Sequence, residues 1–530
     1  MKIFSKTLLL FALFWGLSGC NKFLDVNADP NSPTEPVLDL LLPSTQVSMA
    51  THLGGGNPNI AATVIVQHAT QGGFSRFELL GTSFQTAWNG LYASTLSDLD
   101  ILVRTAEARR NGAYSGMGKL LKAYTYSVLV DLFGDIPYSE ALQGEANVTP
   151  RFDDGASIYR DLFRLIDEGI ADLQRNPYVS PGNVDLIYRG DRAQWIRMAN
   201  SLKLKLLLQT RLIPAERERV TREINQLIAG GQLISTNAQD FTFRFGTAET
   251  PMNRHPTYLT EYRAAKNFYM DQGFMERLLT ADDPRLRYYI YRQRPDTGVS
   301  FTLTSNGYGG RFTGDPTGIP ADNAARATFG LYPYGGLYDN NPIRNLPTTN
   351  RFITNTGTNS PAAHRTVGTA DGSGAGWFPM ITNFTVQFML AEAALTLGTT
   401  GDARTYLRNA ITAHLQGINS FVAAPGNSGV ALPADVITAF VDSRLAQFDA
   451  ATDARGRLNV IMTEKYIALF GNGFESYNDY RRTGLPQLMT PIAPLNPFPQ
   501  RFTIALREIT TNPNAPQVND ITRKVFWDID

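Results

Sequence analysis

The sequence contains one cysteine, Cys20, so no disulfide can form within a monomer and the fold must be held by its core. It has no excess of either charge, with 48 Lys and Arg against 48 Asp and Glu in 530 residues. Without a basic footprint, nucleic acid is excluded as an expected partner. The five histidines, His52, His68, His255, His364 and His414, show no metal-ligand spacing. There is no phosphate-binding glycine loop, nucleophile elbow or zinc-protease motif. Two adjacent carboxylate pairs, Asp153-Asp154 and Asp282-Asp283, could suggest glycoside hydrolysis. That chemistry needs two acids at a set separation across a cleft, and helix capping accounts better for the first pair. The expectation is a chain that is not an enzyme and needs no cofactor. Long apolar runs are absent after Leu17, so the remainder is expected to be soluble and to lie outside the cytoplasm.

The apolar run that is present, Leu8 to Leu17, follows Lys2 and Lys6 and leads into Ser18, Gly19 and Cys20. This three-part arrangement reads as a signal peptide over residues 1–19. The run is about ten residues, half of the roughly twenty that span a bilayer as a helix. Leu17-Ser18-Gly19-Cys20 forms a lipobox, whose thiol takes a diacylglycerol before cleavage leaves Cys20 first in the mature chain. Two or more acyl chains, palmitate among them, make such an anchor durable. Loss of Lys2 and Lys6 leaves 46 basic and 48 acidic residues, close to neutrality.

Residues 20–36, rich in Asn, Asp, Ser and Pro, read as a lipidated tether, and 37–530 as a single domain. Within it, helical periodicity dominates about 37–240 and 380–485. Ile158, Leu162, Leu165, Ile166, Ile170 and Leu173 mark one buried helical face behind Asp153 and Asp154. Leu120, Leu121, Tyr124, Val128, Leu129 and Leu132 mark another, stopped at Gly134, and Asp191 caps a third that carries Trp195. A helix from Asn383 to Gly398, its partner from Asp402, and a pair over Pro433–Phe448 and Asp453–Phe470 complete the pattern. Between about 240 and 380 the composition shifts to Gly, Asn, Thr, Pro and Tyr, and helical spacing mostly disappears after Tyr291. The predicted fold is therefore mainly α: tetratricopeptide-like helical hairpins with a large irregular, loop-rich insert.

Several stretches together resemble the SusD/RagB family of outer-membrane nutrient-binding lipoproteins, in its second SusD-like subgroup. The most specific is Glu464-Lys465-Tyr466-Ile467-Ala468-Leu469-Phe470, then Gly473-Phe474-Glu475 and Asp479 to Pro486. Phe23 to Asn27, Phe133-Gly134-Asp135-Ile136-Pro137-Tyr138, Trp195 to Lys203, Asp283-Pro284-Arg285 and Phe388 to Ala393 follow the family order as well. Most of these motifs read as structural: Arg481 and Arg482 tie a helix end, and Trp195 sits in the core. The resemblance implies a non-catalytic lid that sits on a SusC-like TonB-dependent transporter, binds an oligomeric nutrient outside the cell and delivers it. It also implies a lipid-anchored location at the outer membrane, facing the exterior. The tether departs from the family's acidic surface-export pattern, with Lys22-Phe23-Leu24 after the cysteine and Asp25 later.

Sugar rings stack on aromatic faces while their hydroxyls pair with amides, carboxylates and guanidiniums. The insert supplies Tyr308, Tyr332, Tyr334, Tyr338 and Trp377 beside glycines and prolines, with Asn340, Asn341 and Arg344 as polar partners. Phe74, Arg76 and Phe77, after Gly72-Gly73, form a second candidate group. The same rings also fit a packing role between insert and helices, and Trp88 reads as core. The expected cargo is a glycan, with peptide as the alternative and a secreted glycoside hydrolase as a third reading.

Overall fold

Several helices start where a short polar side chain takes free backbone N–H groups, and several stop at a glycine with positive φ. In the computed structural model, which describes residues 36–264, 268–293, 307–317, 326–340, 372–517 and 520–529, the first helices are α1 (Leu38–Met49), α2 (Asn57–Ile65) and α3 (Ser97–Ala108). Next come α4 (Gly112–Phe133), α5 (Gly155–Gln174), α6 (Arg192–Gln209) and α7 (Arg217–Gly230). Asp154 accepts from Ser157 N at 2.9 Å and Asp191 from Ala193 N at 2.9 Å, while α4 ends at Gly134 with φ +81°. Asp153 does not cap: it accepts from the backbone N–H groups of Tyr138 and Ser139 at 3.2 and 2.7 Å and so fixes the turn after α4.

The α4–α5 pair packs closely because glycines face one another at the crossing. A Cβ on Gly116 would lie 2.7 Å from the Gly169 carbonyl oxygen, well inside contact distance. Trp195 of α6 is fully buried, and its indole N–H donates to Asp185 at 2.7 Å.

In the C-terminal half, α8 (Gln272–Thr280) belongs to the insert, and α9 (Asn383–Leu397), α10 (Ala403–Val422), α11 (Ala434–Ala450) and α12 (Ala454–Ala468) form two hairpins. After these, α13 (Gly473–Thr483) returns to the first block. Asn59 of α2 accepts from Gly473 N at 2.7 Å and donates to Gly471 O at 3.0 Å. No described helix is long and apolar enough to cross a membrane.

The insert carries more order than its composition predicts. Of the short strands β1 (Ala69–Thr70), β2 (Ile136–Pro137), β3 (Phe152–Asp153), β4 (Phe241–Arg244), β5 (Tyr269–Met270), β6 (Ile290–Tyr291), β7 (Thr328–Phe329) and β8 (Trp377–Ile381), six involve it. A four-stranded antiparallel sheet runs in the order β1-β5-β7-β6, and β4 pairs with β8 through Phe243–Phe378 and Arg244–Trp377. Two-residue strands are too short to show alternation, and β8 is buried at all five positions, so neither left a period of two.

Candidate functional site

Phe23 to Asn27 lies outside the described residues; the other family-type motifs lie largely inside the protein. Glu392 on α9 is fully buried and accepts from Arg211 Nε at 2.8 Å and from Arg482 Nη2 at 2.7 Å. Arg482 also donates to Asp479 and Gln209, each at 2.7 Å, and Lys465 donates to Asp479 at 2.9 Å. Arg285 bridges Asp283 at 2.8 Å and Glu464 at 2.7 Å. A second buried centre is Asp131 on α4, which accepts from Asn478 and from the Trp527 indole at 3.0 Å each, and from Tyr159. Arg481 lies 4.7 Å over the Trp527 ring and donates to the Asp131 carbonyl oxygen. Burial raises the Glu392 carboxyl, but Arg482 and Arg211 outweigh it and hold the group well below its ordinary range. These charges bind helices to one another and leave no face for a ligand.

The candidate aromatic residues divide by burial. Tyr308 is fully buried beneath Arg292, 4.5 Å from its ring centre, and its hydroxyl donates to Asp339 at 2.9 Å. Tyr332 stacks on Tyr289 at 5.7 Å and meets Phe421 edge-on at 5.1 Å. Tyr334 is wedged among Phe329, His255 and Phe470. Trp377 is 9% exposed and lies under Arg244, whose guanidinium is 4.6 Å from the ring. Phe77 is buried edge-on to Phe498. In this conformation these five rings pack the insert and its neighbours, and their faces are occupied.

Phe74 and Tyr338 keep partly open rings. Phe74 has one side stacked toward Phe84, and Tyr338 rests on Tyr288 at 5.2 Å with Arg287 5.4 Å from its centre. Asn340 beside it is exposed. Arg76 is half-buried and donates through Nε to Ala493 O at 2.8 Å. Asn341, Arg344 and Cys20 lie outside the described residues.

Segment 307–317 joins the two groups. At one end Tyr308 is tied to Asp339, next to Tyr338; at the other Thr313 Oγ1 donates to Ser75 O at 3.4 Å, next to Phe74. A third loop, absent from the sequence reading, completes this face. Ile492 N donates to Thr313 O at 3.0 Å, Leu495 N to Arg76 O at 2.8 Å, and Asn496 to Phe77 O at 3.0 Å. Its prolines, Pro491, Pro494, Pro497 and Pro499, were the available signal, since such a run holds an extended path without regular pairing. The loop leaves Met489, Ile492 and Leu495 exposed, Ile492 at 63%, and Leu80 and Leu506 are exposed as well.

A loop-built face on a buried helical frame agrees with the comparisons. The family described as starch-binding associating with outer membrane matches residues 30–503. The chain belongs to this SusD-like family. A SusD/RagB family protein of Bacteroides thetaiotaomicron superposes with a TM-score of 0.72 at 20% identity, covering 93% of this chain and 99% of its own. A chitin-binding protein gives 0.69 at 21%, covering 93% and 100%. A chitin-binding SusD homolog of Flavobacterium johnsoniae gives 0.67 at 18%, covering 92% and 99%. At these identities the likeness is one of fold. No curated protein matches the chain. The SusD-like family is one of carbohydrate-binding proteins associated with the outer membrane.

Proposed function

We propose that this SusD-like chain is a lipoprotein, anchored through Cys20 and facing the exterior, that binds oligomeric glycans and delivers them to a SusC-like TonB-dependent transporter as its lid. No covalent chemistry is involved. The observation that carries the reading is the continuity of the loop face, where segment 307–317 links the Phe74–Arg76 loop to Tyr338 and Asn340. Two partly open rings with a guanidinium and an amide at hand suit an extended chain of sugar rings better than one compact ligand. The chitin-binding neighbours support a glycan cargo. The apolar side chains at Leu80, Met489, Ile492, Leu495 and Leu506 are exposed, as side chains at a protein contact often are, and we assign them to the transporter.

Calorimetry against a panel of neutral oligosaccharides tests the cargo. The full chain should bind at least one glycan, and Tyr338→Ala and Phe74→Ala should each weaken it about fivefold or more, as expected for loss of a stacking ring. Silence across the panel, or binding indifferent to both changes, overturns the assignment.

A further inference from the structure

A cleft of about 530 Å³ opens between α4, α5 and the turn that follows α4, and shares no lining residue with the loop face. Its walls are Tyr126 and Lys122 of α4, Tyr138 of the turn, Asp153 of β3, Asp161 of α5 and Asp100 of α3. The charged groups are already paired. Lys122 donates to Asp100 at 2.8 Å, Arg164 to Asp161 at 2.7 Å, and the Tyr138 hydroxyl to Asp161. Arg104 meets Asp100 at 2.8 Å and Arg151 meets Asp153 at 3.3 Å. Three carboxylates thus face four cations, and the cleft offers no field that would select a strongly charged ligand.

Tyr126 is the exception to this pairing. It is 1% exposed, its ring meets that of Tyr138 edge-on at 4.7 Å, and it lines the cleft with no hydrogen-bond partner for its hydroxyl among the described residues. A hydroxyl that lines a cleft without a protein partner is free to pair with what enters it. The carboxylates retain free lone pairs beyond their ion pairs, and Ser139 and Ser157 add hydroxyls at the rim. Half-buried Tyr138 and the side chains of Ala141 and Leu142 give an apolar wall. Convergent donors and acceptors, near-neutral charge and one ring wall match a small neutral polyol.

We propose that this cleft is a second binding site, separate from the loop face, that takes one neutral pyranose-sized sugar, with the Tyr126 hydroxyl as a direct contact. The test titrates D-glucose, D-galactose and N-acetyl-D-glucosamine into the full chain carrying Phe74→Ala and Tyr338→Ala, with citrate and spermidine as charged controls. At least one sugar should bind, and Tyr126→Phe should weaken it about fivefold to tenfold, the worth of one hydrogen bond. Tyr126→Phe should also leave the unliganded melting temperature unchanged or higher, because it deletes an unpartnered oxygen and keeps the ring. Oligosaccharide binding by the otherwise unaltered chain should not respond to Tyr126→Phe, which separates this site from the loop face. The proposal is overturned if no sugar binds at 50 mM, if Tyr126→Phe leaves the affinity unchanged, or if only a charged control binds.

Discussion

Replacing Glu392 by Gln should cost about 3 kcal/mol of stability at pH 7. The carboxylate is fully buried and serves two guanidiniums, Arg211 at 2.8 Å and Arg482 at 2.7 and 3.1 Å. A glutamine keeps the shape but removes the charge and turns an amide donor toward a donor. Breaking a buried ion pair on one side costs about 3–5 kcal/mol, because the partner stays buried and uncompensated. Arg482 retains Asp479 and Gln209, whereas Glu392 is the only side-chain partner of Arg211 among the described residues, which places the loss at the lower end. That is a large share of the 5–15 kcal/mol typical of folded domains. Urea unfolding followed by far-UV circular dichroism and by tryptophan fluorescence measures it, and coincidence of the two curves checks that the transition is cooperative. The sign of the pH effect is also fixed. A carboxyl held below its ordinary 4.5 in the folded state contributes stability above that pH and loses it as pH falls further. The deficit of Glu392→Gln should therefore shrink at pH 3.5. An equal deficit at pH 7 and pH 3.5, or one below about 1 kcal/mol, would refute the reasoning.

Three further outcomes are expected. Trp527→Ala removes a fully buried indole that donates to Asp131 and should lower stability by about 3–5 kcal/mol, read as a shift in urea midpoint. Burial pushes the Asp271 carboxyl up to about 7, only partly offset by backbone N–H groups, so it favours folding at low pH and loses that contribution as pH rises from about 4 to 7. Asp271→Asn should gain on the parent chain by roughly 1.4 kcal/mol per pH unit across that window, and a constant difference would contradict it. Cys20→Ser should move the chain from the membrane to the soluble fraction of cells, checked by fractionation and immunoblot.

Helix ends were legible because they depend on local chemistry. Asp154, Asp191 and Asp402 cap where their position before an apolar run indicated, and Gly134 and Gly398 stop helices as left-handed residues. The placement of the insert's rings was not legible, because their neighbours are remote in sequence. Tyr332 meets Phe421 and Tyr334 meets Phe470, and a tyrosine between glycines and prolines reads the same whether its ring turns inward or outward. The β4–β8 ladder likewise joins residues about 140 apart, with no alternation on β8. The loop bearing Ile492 and Leu495 reads as coil, and its place beside Phe74 follows from bonds to Thr313, Arg76 and Phe77, all remote in sequence.

The Asp131 centre also constrains the order in which the molecule can complete itself. Asp131, Tyr159 and Lys205 are delivered early, whereas Asn478, Arg481 and Trp527 arrive with the final part of the chain. Until then α4 holds a carboxylate in an apolar setting with half of its partners missing, so the first hairpins gain little by closing ahead of the rest. A chain that emerges with its amino terminus leading would thus stay loosely packed until those residues follow. Arrival of its last turn would then convert it to the finished form.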